Sequence, residues 1–117
     1  MNENLKNETK AYIDRIKKTD AYVDYLNYKS ILERQPELKA QVDAFRRKSF
    51  EIQAGHKYGY FNAYENLLNL RAQNNDLLNE AIVKSFLAAE LKVSKMLTDI
   101  LTTFAEEVDF DLDFLQE

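Results

Sequence analysis

The 117-residue sequence predicts an all-α fold, a small bundle of four to five helices with helical hairpins and a long C-terminal helix. Three observations carry that prediction. Gly occurs twice and Pro once, too few for the many turns of a sheet protein. Apolar residues recur at helical spacing over most of the chain. The last such pattern runs from about Leu77 to Glu107, which at 1.5 Å per residue is a helix of about 45 Å.

The first segment, about Glu3 to Lys18, places Leu5, Tyr12, Ile13 and Ile16 on one face. Thr19 and Asp20 are a cap or a kink, since both side chains accept from free backbone N–H groups. A second helix, about Asp20 to Arg34, either follows or continues the first, with Tyr22, Leu26 and Ile31 or Leu32 directed inward. Pro36 forces a boundary, because it disfavours a helical Gln35 and suits the first position of a helix. From Pro36 to Gln53, Leu38, Val42, Phe45, Ser49 and Ile52 alternate in steps of four and three, a two-helix packing seam. Lys39, Arg46, Arg47 and Glu51 form the opposite, solvated face. Both glycines fall in Ala54 to Tyr60, the clearest loop. Phe61 to Gln73 reads as a short helix with Phe61, Tyr64 and Leu68 inward. Asn74-Asn75-Asp76 is then a turn that caps the last helix.

That helix carries two apolar stripes. Leu78, Ile82, Phe86, Ala89, Val93, Met96, Ile100 and Phe104 form one; Leu87, Leu91, Leu97 and Leu101 form its neighbour. Together they are wider than one partner helix needs, so cover from two sides is expected, one of them a second copy. From Val108 to Phe114 the period changes. Val108, Phe110, Leu112 and Phe114 alternate with three aspartates, which places the apolar residues on one side of an extended chain. The aspartates also oppose the negative end of the helix dipole. Two readings follow, a frayed terminus or a segment that docks in extended form into an apolar groove, on its own protomer, a second copy or a separate partner. The whole chain is read as one domain, 1–117, with 108–117 as this acidic-apolar tail.

Composition narrows the function. At 45 % hydrophobic and 31 % charged, the chain is globular rather than disordered. There is no Cys, which removes disulfides, thiolate metal sites and cysteine nucleophiles together. The polar Met1 to Lys10 is no signal peptide, and no apolar run reaches the ~18 residues of a membrane span, so the expected compartment is the cytoplasm. A net charge of −4 argues against nucleic acid. The clusters Arg15-Lys17-Lys18 and Arg46-Arg47-Lys48 read as solvated faces.

No enzyme site emerges. His56 is the one histidine, and Gly55-His56-Lys57-Tyr58 offers it neither Cys nor carboxylate. Gly55-x-x-x-Gly59 lacks the Lys-Ser/Thr and the strand of a phosphate loop. Glu90 stands out among the carboxylates because it lies between Ala89 and Leu91 in an apolar stretch. The Glu-x-x-His pairs of di-metal bundles are missing, so it is read as an ion pair or hydrogen bond to a neighbouring helix. No cofactor and no metal are expected. Tyr22, Tyr25 and Tyr28 recur every three residues and wind around their helix, so at least one points away from the local core. Tyr suits an interface, with a large ring and a polar tip. The preferred split is Tyr22 to the core and Tyr25 or Tyr28 to an interface.

Thr19-x-x-Tyr22-x-x-Tyr25, then Pro36-Glu37-Leu38 with Val42 and Phe45, then Phe86-Leu87-Ala88-Ala89-Glu90 with Met96, Leu97 and Ile100, resembles the YlbF/YmcA/YheA family over roughly residues 5 to 108. The resemblance implies an all-helical fold, self-association and a regulatory role. Relatives serve as accessory factors in competence, sporulation and biofilm development, in complexes linked to RNA processing by RNase Y. Some carry cysteines that hold an iron–sulfur cluster; without Cys, this chain does not inherit it. The function expected is therefore a non-catalytic regulator or adaptor, homo-oligomeric as a dimer or larger, that binds as yet unidentified protein partners and neither nucleic acid nor membrane. Its candidate interface residues are Tyr25, Tyr28, Leu87, Leu91, Leu97, Leu101, Phe110 and Phe114. The alternative is a direct RNA-binding accessory factor that uses Arg46, Arg47 and Lys48.

Overall fold

The structure, a computed structural model, describes residues 1–57, 62–109, 111 and 113, the side chains of residues 56 and 57 excepted. Among the described residues there are six helices and no strand: α1 (Glu3–Lys17), α2 (Asp20–Glu33), α3 (Pro36–Lys57), α4 (Ala63–Gln73), α5 (Asn75–Leu78) and α6 (Ala81–Val108). The all-α fold and the long C-terminal helix are as the sequence predicts.

Local chemistry sets the boundaries. The Asn2 side-chain oxygen accepts from the N–H groups of Asn4 and Leu5 at 2.8 and 3.2 Å and starts α1. Thr19 separates α1 from α2. Its backbone is extended, and its hydroxyl accepts from the Tyr22 N–H at 3.3 Å while donating to the Ile16 carbonyl at 2.7 Å. One side chain thus closes one helix and opens the next. Thr19→Ala is expected to lower stability by about 1 kcal/mol, read as a shift in the urea midpoint at unchanged slope. Pro36 begins α3, as expected.

Two boundaries differ from the sequence reading. Helix α3 continues through Ala54 and Gly55 to Lys57, where a loop was expected. A glycine inside a helix costs only about 1 kcal/mol, and the packing of α3 on α4 offsets that. The other is at the start of the long helix. Asn75–Leu78 forms a separate single turn, and α6 begins at Ala81 behind an extended Glu80. Val83, three residues before Phe86 on the same face of α6, is fully buried although neither sequence stripe contained it.

The core is small. Leu32 of α2, Val42 of α3, and Val83 and Phe86 of α6 form its centre, with Tyr25, Tyr28, Leu38 and Leu77 packed around it. Between Ile31 and Leu32, the structure selects Leu32; Leu26 and Ile31 are exposed. On α4 the buried residue is Leu70, while Tyr64 and Leu68 face solvent, and Phe61 lies outside the described residues. Apolar side chains surround α4, so its own pattern named no single face and packing on α3 decided. The α3 seam holds as read: Val42 and Phe45 are buried, and Leu38, Ser49 and Ile52 are half-buried.

Helices α1 and α2 run antiparallel to α6. Tyr12 meets Phe104 edge to face at 6.0 Å, the Thr19 hydroxyl lies 3.8 Å from the Met96 sulfur, and Tyr25 stacks obliquely on Phe86 at 5.7 Å. On α1 nothing is buried; Leu5 and Ile13, expected inward, are exposed. The result is a thin slab of 49 × 38 × 19 Å with a radius of gyration of 17.6 Å, against about 13 Å for a compact domain of this length. Its accessible surface is 9455 Å², whereas a compact monomer of its 13.7 kDa mass exposes about 6600 Å². The excess, about 2900 Å² by that scaling, is the main physical fact about this chain.

Candidate interaction surface

Helix α6 decides what the slab leaves open. Val83, Phe86, Ala89 and Val93 are buried, so one face of α6 is committed to the core. Rotated about 90° from that face lie Leu87, Leu91, Ser94, Thr98, Leu101, Ala105 and Val108, spaced in alternating steps of four and three. This is the spacing of a helix-pairing seam. Leu87 and Ala105 are half-buried and the other five are exposed, with Leu91 at 55 % and Leu101 at 67 %. Of the interface candidates on α6, Leu87, Leu91 and Leu101 share this seam. Leu97 lies to one side, where it lines a shallow hollow with Tyr22, Tyr25, Val93 and Leu101. Ser94 and Thr98 belong to the seam but escape a search for hydrophobic residues alone; the four-three spacing is the signal that finds them.

The tyrosines fall differently from the preferred split. Tyr25 and Tyr28 both pack against the core cluster, and Tyr22 is half-buried beside Tyr25 with ring centroids 6.3 Å apart. The physical reason is phase: Tyr25, Tyr28 and Leu32, three and four residues apart, form the face of α2 that α6 covers. Phe110 and Phe114 lie outside the described residues. Helix α6 ends at Val108, with Asp109 in the left-handed region at φ 56°, a conformation Asp tolerates.

Along its N-terminal half, the seam becomes the floor of a groove. The α3–α4 hairpin stands beside it, leaving two adjoining hollows of about 700 and 520 Å³ that share Arg71, Leu87 and Leu91. Phe50, 71 % exposed, lines the larger one. The groove walls carry three cations, Arg47 on α3, Arg71 on α4 and Lys84 on α6; the sequence had marked Arg47 within its basic trio but neither Arg71 nor Lys84. Only tertiary packing brings these three helices together. Among the described residues, none of the three is in an ion pair.

Arg46 and Glu90 are the ionic link between α3 and the seam helix. Their side chains form a salt bridge, with the Arg46 guanidinium 5.3 Å above the Phe86 ring and 2.9 Å from Asp43. Glu90 thus makes an ion pair with a neighbouring helix, one of the two arrangements expected for it. Burial pulls the Arg46 pKa down, but Glu90 and Asp43 more than offset this and hold it above its ordinary value. Arg46 is therefore not on a solvated face, and of the basic trio only Arg47 and Lys48 remain exposed. Asp43 also accepts from Lys39 at 2.5 Å. The Lys39 hydrogen bond lowers the Asp43 pKa below 3.8 against the opposing effect of burial, and Arg46 lowers it further. A depressed carboxylate pKa contributes stability that is present above the ordinary value and lost as pH falls through the folded one. The stability difference between wild type and Asp43→Asn should accordingly shrink as thermal melts are taken from pH 6 to below about pH 3. A difference that stays constant over that range contradicts the assignment.

Among the described residues, no three His, Cys, Asp or Glu side chains are grouped as a metal ion would need. No described helix is long and apolar enough to cross a membrane. No curated protein and no solved structure matches the chain. One family model does match, over residues 6–109, and its description is control of competence regulator ComK, YlbF/YmcA. With nearly the whole chain covered and the fold all-helical as the resemblance implied, the protein belongs to the YlbF/YmcA family.

Proposed function

We propose that this protein is a non-catalytic accessory regulator in the control of ComK, and that it acts by binding proteins, the first of them a second copy of itself. The observation that carries this reading is the unpartnered seam on α6, in a chain whose surface exceeds the compact expectation by about 2900 Å². A stable pair buries only about 800 Å² per partner, so the excess is ample.

Charge supports one orientation. As far as Lys95, α6 carries Lys84, Lys92 and Lys95 against Glu90; beyond Lys95 come Asp99, Glu106 and Glu107 and no base. Two such helices attract when antiparallel, and their macrodipoles then also oppose. Centred on Leu101, an antiparallel pair sets Lys95 of each copy opposite Glu107 of the other and Ser94 opposite Val108. Leu101, the most exposed leucine of the seam, then meets its own copy on the two-fold axis.

The regulatory reading is tested in a host that contains ComK. Deleting the gene is expected to change ComK abundance, and the wild-type chain should restore it. ComK abundance that ignores the deletion contradicts the regulatory assignment. Light scattering at micromolar concentration is expected to report twice 13.7 kDa or more; a clean monomer contradicts the pairing.

A further inference from the structure

The groove beside the seam has an apolar floor and cationic walls, and one segment of the chain has the complementary pattern. Leu87 and Leu91 form the floor, and Arg47, Arg71 and Lys84 line the walls without a carboxylate partner among the described residues, while Glu90, which also lines the groove, is already paired with Arg46. Immediately after α6 comes Asp109-Phe110-Asp111-Leu112-Asp113-Phe114, in which three acids alternate with three large apolar residues. In an extended chain such residues point to opposite sides, so the apolar set can face a floor while the acids stay level with flexible Arg and Lys side chains. The other hollow along α6, beside Tyr22 and Leu97, has no lysine or arginine in its lining and offers three aspartates no attraction.

Reach decides whose groove it is. Leu91 lies 17 residues before Val108, about 25 Å back along the helix, and Leu87 about 31 Å. Extended backbone covers about 3.3 Å per residue, so Phe110 travels about 7 Å from Val108 and Phe114 about 20 Å. The chain's own groove floor is out of range of Phe110 and Leu112, and the residues spent on reversing direction after Val108 keep Phe114 short of it as well. In the antiparallel pair centred on Leu101, by contrast, Val108 lies opposite Ser94 of the second copy, at the mouth of that copy's groove. Six extended residues then span about 20 Å, the length of helix from Ser94 to the first turn of α6. That stretch contains Leu91, Leu87 and Lys84.

We propose that residues 109–114 of each copy lie in the groove between α6 and the α3–α4 hairpin of the other, with Phe110, Leu112 and Phe114 on the floor and the aspartates against Arg47, Arg71 and Lys84. The inference rests on the antiparallel pairing proposed above and adds to it a reciprocal exchange of tails. In the single chain the Asp113 N–H donates to the Asp111 side chain at 2.9 Å, a local turn that the docked form gives up. At each of the two contacts three aspartates of one copy thereby meet three cations of the other, and an apolar groove is closed at each end of the seam.

Charge reversal on full-length protein tests it. A tail variant carries Asp109→Lys, Asp111→Lys and Asp113→Lys, and a groove variant carries Arg71→Glu and Lys84→Glu. Each alone places like charges at both tail–groove contacts, and its self-dissociation constant, by analytical ultracentrifugation, is expected to rise about tenfold or more. Mixed in equal amounts, the two variants form a pair in which both contacts are again complementary. Native mass spectrometry should then show the mixed pair well above its random share, and its recovery also establishes that both variants fold. Wild-type affinity for each variant separately, with random mixing, overturns tail exchange and leaves the seam pairing standing. Weakening of both variants without preference for the mixed pair places the tail elsewhere and also overturns it. A wild-type chain that remains monomeric overturns the pairing itself and this inference with it.

Discussion

Phe86→Ala is expected to lower the stability of the chain by about 3–5 kcal/mol, a large share of what a domain of this size possesses. Phe86 is 1 % exposed and is the largest member of the buried cluster that it forms with Leu32, Val42 and Val83. Its ring stacks obliquely on Tyr25 at 5.7 Å and lies 5.3 Å below the Arg46 guanidinium. Removing the ring therefore opens a cavity among Leu32, Val42 and Val83 and also strips the apolar seat from under the Arg46–Glu90 link. In a thicker domain, neighbouring side chains relax into such a space; a slab 19 Å thick has little beyond its first layer to do so. Urea unfolding followed by circular dichroism measures the change. A loss below about 1 kcal/mol indicates that the core is not centred on Phe86.

Leu101→Asp is the second large effect, and it falls on association instead of folding. Leu101 is 67 % exposed in the single chain, so the substitution removes little that holds the protomer together. On the two-fold axis of the proposed pair it has the opposite consequence. Two leucines leave the contact, and two carboxylates are brought face to face with no base within the same turn. The self-dissociation constant is expected to rise about a hundredfold or more, since two such losses together amount to several kcal/mol. Sedimentation should show a monomer at micromolar concentration with undiminished helical content. A dimer of unchanged affinity moves the interface away from the C-terminal half of α6. In the cell, this variant separates two roles: failure to restore ComK abundance ties regulation to pairing, whereas full restoration assigns it to the single chain.

Much of this was legible in the residues themselves. Helix content, the start of α3 at Pro36, the cap at Thr19 and the four-three seam of α3 are local properties, decided by side chains within one or two turns of each other. Glu90 is of the same kind: an acid between Ala89 and Leu91 requires a partner, and an arginine supplies it. The family, too, follows from order and spacing along the chain. Leu91 and Leu101 lie on the open seam because two apolar stripes on one helix exceed what short neighbours cover.

Other features were decided only by the tertiary structure. Gly55 stays helical because α4 packs against α3, and no glycine pattern reports that. The inward faces of α2 and α4 pass to Tyr25, Tyr28 and Leu32 and to Leu70, since both helices have apolar residues on several sides and each bundle contact selects one of them. Val83 is buried because Leu32 of α2 and Val42 of α3 close over it beside Phe86. The cationic groove is the furthest from the sequence, for Arg47, Arg71 and Lys84 belong to three helices and become neighbours only when the hairpin settles beside α6. Local spacing determines which residues share a face of a helix; which face is covered depends on helices distant in sequence, whose positions follow from the burial of the whole.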